Sequence, residues 1–107
     1  MPDGMADRRV APRYPLILAA EVTEIESGTK LSARTADVSR TGCYVDTLNP
    51  TPSGVAILVR LTHETETFES RGRVIYVSQG LGMGVAFVDV AADQLAVLDK
   101  WLAAAAG

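Results

Sequence analysis

Residues 16–38 read LILAAEVTEIESGTKLSARTADV, and the alternation within this stretch decides the fold class. Leu16, Leu18, Ala20 and Val22 fall on one face and Glu21 and Thr23 on the other, the period of two expected of a half-buried strand. Ser27 and Gly28 supply turn chemistry, after which residues 30–38 alternate Leu31, Ala33, Thr35 and Asp37 against Ser32, Arg34, Ala36 and Val38. Two such segments joined by a short polar turn predict an antiparallel hairpin.

Downstream, the pattern breaks at residues 39–42 and resumes as a short β-prone segment at Cys43, Tyr44 and Val45, which ends before the turn cluster NPTPSG at 49–54. Residues 55–62 form the next strand. Residues 65–77 are long and rich in Thr, Val, Ile and Tyr, with Gly72 in the middle marking a bulge or sharp bend. Gln79 and Gly80 turn the chain into a last strand at 81–88. Six strands with little helix between them predict an antiparallel barrel or sandwich. Residues 91–105 differ: helix formers dominate, and Leu95, Leu98, Trp101 and Leu102 recur at helical spacing. One amphipathic helix is expected to close the chain against the barrel, with Trp101 in its packed face.

Upstream, residues 1–15 hold three prolines and no sustained period, so they read as a flexible arm leading into a single domain at 16–107. The arm carries Arg8, Arg9 and Arg13, a cationic cluster in a chain whose net charge is -3. That balance disfavours nucleic acid and anionic lipid as partners, and any anionic ligand must be held locally. The chain has 107 residues, 48% of them hydrophobic, in keeping with one packed core. No run approaches a membrane span and residues 1–7 lack the apolar core of a secretory signal, so a cytoplasmic protein without direct membrane insertion is expected. The single cysteine, Cys43, and single histidine, His63, cannot assemble a metal site. Cys43 is expected as a small buried strand residue.

Two short patterns occur in this order: RVAPR at 9–13, an RxxxR, and DVSRTG at 37–42, a DxSxxG. The first lies just before the first predicted strand and the second at the end of the next. Chance would place both in roughly one chain of this size in a hundred. Together with GMGVAF at 82–87, similar to a GxGVxF strand before a C-terminal helix, they resemble the PilZ family. The resemblance covers residues 8–102 and implies a six-stranded antiparallel β-barrel with one C-terminal α-helix. It also implies a receptor for the second messenger cyclic di-GMP, with no cofactor and no catalytic activity of its own.

By the same resemblance, Arg9, Arg13, Asp37, Ser39 and Gly42 are the matched binding positions. Arg8 adds a cation whose place implies a stacked pair of nucleotides, and Arg40 stands where the motif leaves the residue free. The chemistry suits the ligand. The arginine fork holds a phosphate, or the O6 and N7 edge of guanine, with two parallel hydrogen bonds. A carboxylate at Asp37 accepts from guanine N1 and N2, which selects guanine over adenine. Ser39 offers a hydroxyl, and Gly42 removes a side chain where backbone and ligand approach or where the turn requires positive φ. Each residue has a plainer reading too, as a solvated basic tail or as an Asp/Ser/Gly turn.

Other functions have less support. His63 lies in a polar hairpin with no nucleophile or orienting group around it, so an enzyme is disfavoured. A small nucleic-acid-binding barrel would need exposed aromatics along a basic groove, whereas Phe68, Tyr44, Tyr76, Phe87 and Trp101 are scattered. A PilZ-fold protein-interaction module without nucleotide binding is disfavoured by the complete motifs. A domain with no output module is expected to act through a downstream protein partner, for which the family resemblance suggests motility, exopolysaccharide or pilus regulation without choosing between them.

Overall fold

The structure, a computed structural model, describes residues 11–107. Six strands, β1 (Ala19–Glu24), β2 (Lys30–Val38), β3 (Gly42–Asp46), β4 (Ala56–His63), β5 (Glu66–Ser78) and β6 (Gly82–Val88), precede one helix, α1 (Ala92–Ala106). They close into a barrel in the order β1-β2-β3-β6-β5-β4, every neighbouring pair antiparallel. Closure leaves no unpaired sheet edge. The barrel is filled by Leu18, just before β1, and by the inward halves of the alternating strands: Ala20 and Val22 from the first, Ile57, Val59 and Leu61 from the fourth, Phe68 and Val74 from the fifth. Leu98, Trp101 and Leu102 of α1 complete this core, so the helical stripe covers the barrel as its spacing predicts.

Two departures from simple alternation matter. In β2 the register shifts between Thr35 and Asp37, a bulge at Ala36. Thr35 and Val38 are both buried, at 1% and 0% exposure. Strict alternation would put Asp37 on the inner face with Thr35; the extra residue turns it outward instead. In β5 the expected irregularity at Gly72 is displaced to Ile75, where the register shifts between Val74 and Tyr76. Gly72 pairs regularly with Ile57 and Phe87. Its missing side chain answers to crowding, because a Cβ there would lie 2.9 Å from the Ala86 carbonyl oxygen and 3.2 Å from Val59 and Val85.

The polar hairpin around His63 clasps the helix. Glu66 accepts hydrogen bonds from Lys100 Nζ at 2.6 Å and from the Trp101 indole N–H at 3.1 Å, while His63 meets the Trp101 ring edge-on at 5.7 Å. His63 is thus a half-buried packing residue. The bonds from Lys100 and Trp101, in that order, hold the Glu66 carboxyl below its ordinary range. A depressed folded value means that the clasp stabilises the protein above the carboxyl's unfolded pKa and is lost as pH falls through the lower folded one. Acid titration followed by Trp101 fluorescence should therefore show a transition below the ordinary glutamate range, absent in Glu66→Gln.

Candidate functional site

The segment before β1 runs antiparallel along β2. Tyr14 exchanges two backbone hydrogen bonds with Val38, at 2.9 and 3.0 Å, forming a bridge at the last residue of β2. Further along, Thr35 Oγ1 donates to the Leu16 carbonyl at 2.7 Å and accepts from the Leu18 N–H at 2.9 Å. These bonds carry the buried Thr35 hydroxyl without an unsatisfied polar atom, and they fix the path of residues 14–18. Within the arm expected over residues 1–15, Tyr14 is thus tied to the barrel. The prolines on either side, Pro12 and Pro15, hide this one-residue bridge from any test of periodicity.

That bridge sets Arg13 beside Asp37. The guanidinium donates from Nε at 3.0 Å and approaches the same oxygen from Nη2 at 2.9 Å. Both side chains are open to solvent, at 44% and 35% exposure. Two residues separated by 24 positions, taken from the two motifs, therefore meet on the outer surface of the barrel. The bulge at Ala36 is what makes the meeting possible. Arg8 and Arg9 lie outside the described residues.

Ser39 is 1% exposed and its hydroxyl is occupied by the turn. The oxygen accepts from the N–H groups of Thr41 and Gly42, each at 3.2 Å, and the hydroxyl donates to the Gly42 carbonyl at 3.2 Å. With the Ser39 N–H on the same carbonyl at 2.8 Å, the residue closes the loop that holds Asp37 at its entrance. Gly42 is buried, and it is not among the glycines of positive φ, which among the described residues are Gly28, Gly54 and Gly80. A Cβ at Gly42 would instead lie 2.2 Å from the Val85 carbonyl oxygen. Close approach of β3 to β6 explains this glycine.

Arg40 points away from the Arg13–Asp37 pair. Its Nε and Nη2 donate to the two carboxylate oxygens of Asp99 at 2.9 and 3.4 Å. The motif loop is thereby bonded to α1. Behind the loop, Cys43 is fully buried, and burial, reinforced by the negative Asp37, pushes its thiol up to about 12. A thiol so protonated is inert as a nucleophile. Among the described residues no group of three potential metal ligands clusters, and no helix is long and apolar enough to cross a membrane.

A family model described as the PilZ domain matches residues 7–104. Among solved structures, the PilZ domain of CeSA from a cellulose-synthesizing bacterium superposes with a TM-score of 0.69 at 19% identity, covering 85% of this chain and 94% of that one. The Bacillus subtilis inhibitor of motility (MotI/DgrA) gives 0.73 at 18% identity, over 89% of this chain and 49% of that one. The PilZ domain of YcgR from Escherichia coli, with c-di-GMP, gives 0.76 at 14% identity, over 92% of both. No curated protein matches.

Proposed function

Since the chain belongs to the PilZ domain family, we propose that it is a cytoplasmic, non-catalytic receptor for cyclic di-GMP that reports the ligand to a protein partner. The observation that carries this reading is the Arg13–Asp37 contact, which puts a phosphate- or guanine-binding fork and a guanine-selecting acceptor at one corner. An exposed ion pair of this kind is worth about 0–1 kcal/mol. A ligand with two phosphates and two guanines can replace it with several charge-assisted hydrogen bonds. Arg8 and Arg9 are assigned the remaining arginine contacts, and Arg8 the second member of a stacked ligand pair. Ser39 and Gly42 act by shaping the loop.

The Arg40–Asp99 bond gives the loop a direct connection to α1, so a ligand that moves the loop alters the exposed face of the helix. That is a route by which a domain without chemistry can inform a partner. Calorimetric titration tests the proposal. Cyclic di-GMP should bind with micromolar or better affinity, about -8 kcal/mol or stronger, and cyclic di-AMP and GTP far more weakly. Equal binding of cyclic di-AMP would remove the role given to Asp37, and no binding of cyclic di-GMP would leave a protein-interaction module.

A further inference from the structure

Beside the Arg13–Asp37 corner, the outer face of β2 continues into an open groove of about 800 Å³, bordered by Ile17, Arg34, Ala36, Asp46, Leu48 and Asn49. The volume lies inside the range of small-molecule sites. Two of its walls are strongly exposed apolar side chains, Ile17 at 70% and Leu48 at 79%. They stand on opposite sides of β2, one on the segment leading into β1 and the other just beyond β3.

The polar content of the groove repeats that of the corner. Arg34 is exposed and is the register partner of Asp46 on β3; directly opposed residues leave the same face of a sheet. Among the described residues Arg34 enters no ion pair. A fork able to take a phosphate or the O6 and N7 edge of guanine thus stands next to a carboxylate able to accept from guanine N1 and N2. Arg34 precedes Asp37 by three positions along β2, roughly 10 Å at the rise of a strand, a span that two linked nucleotides cover. The apolar edges of Ile17 and Leu48 flank the place where the flat face of a base would lie.

We propose that the ligand site extends from Arg13 and Asp37 along β2 into this groove, where Arg34 and Asp46 form a second guanine subsite walled by Ile17 and Leu48. The inference rests on the cyclic di-GMP reading above, and it adds residues outside both motifs. The test is calorimetric titration of the full chain with cyclic di-GMP, comparing wild type, Arg34→Ala, Arg34→Lys and Asp46→Ala, each checked by circular dichroism and melting temperature.

Arg34→Ala and Asp46→Ala should each lower affinity at least fivefold or remove one ligand from the stoichiometry, with Arg34→Lys between them and wild type. In wild-type protein the amides of residues 17, 34 and 46–49 should shift on saturation, a readout that needs no variant. Wild-type binding with Arg34→Ala unchanged in affinity and stoichiometry, or with those amides unmoved, overturns the second subsite and leaves the receptor reading standing. Wild type that binds no cyclic di-GMP overturns the receptor reading itself.

Discussion

Arg13→Ala should weaken cyclic di-GMP binding at least tenfold, about 1.4 kcal/mol, while leaving the fold intact. The guanidinium is 44% exposed and bonds only the partly exposed Asp37 carboxylate among the described residues, so its contribution to folding is that of a surface ion pair, about 0–1 kcal/mol. The bridge at Tyr14 uses backbone atoms alone and survives the truncation. A change of that size moves the melting temperature of a domain of about 100 residues by only a few degrees. Asp37→Ala should behave alike. Asp37→Asn should fall between, because it keeps an acceptor for guanine while losing the charge. Calorimetry gives the affinity and thermal denaturation the control. A drop of more than 10 °C, roughly twice what a surface pair allows, would mark Arg13 as structural.

Gly42→Ala should be far more damaging to stability than the neighbouring Gly84→Ala. The Cβ added at Gly42 meets only backbone: the Val85 carbonyl oxygen at 2.2 Å, its carbon at 3.2 Å and Ala86 Cα at 3.3 Å. Those atoms belong to the strand that pairs with β3 residue for residue, and Val85 is itself in the core. Relief requires β3 and β6 to separate, at the upper end of overpacking costs, about 3 kcal/mol. The motif loop would be lost with them. At Gly84 the obstruction is the Tyr76 ring, at 2.1 Å. Tyr76 is 47% exposed and can swing outward, so Gly84→Ala should cost within about 1 kcal/mol. Urea denaturation of both variants decides it; equal stability of Gly42→Ala and wild type would contradict the close approach.

These two glycines show where reading the residues in order reaches its limit. The strands and the closing helix are legible because barrel closure imposes a period of two on each strand and a stripe on the helix. The two bulges are not. Ala36 sits in a run, Thr35-Ala36-Asp37-Val38, with no glycine or proline to announce an extra residue, so alternation sends Asp37 inward when the register shift sends it out. In β5 the glycine that looks like the cause of a bulge serves close packing, and the bulge falls at a β-branched isoleucine.

The candidate site is legible to a similar depth. That Arg13 and Asp37 belong together is what the resemblance of the two motifs to the PilZ family implies; either motif alone reads equally as a basic tail or a turn. What each remaining motif residue does depends on which partner reaches it first. Ser39 has two plausible partners for its hydroxyl, ligand or backbone, and three backbone groups of its own loop take it. Arg40 is captured by Asp99, 59 positions away, a pairing visible only once the barrel brings α1 beside the loop. Arg34 and Asp46 have no motif around them, and only the register of β2 on β3 sets them side by side.

The most direct test of the receptor account is a structure of the protein saturated with cyclic di-GMP. It should show a guanine or phosphate oxygen of the ligand within about 3.2 Å of the Arg13 guanidinium and a guanine nitrogen at the Asp37 carboxylate, in place of the bond those two side chains now share. Ligand bound elsewhere on the barrel, with the Arg13–Asp37 pair intact, would contradict it.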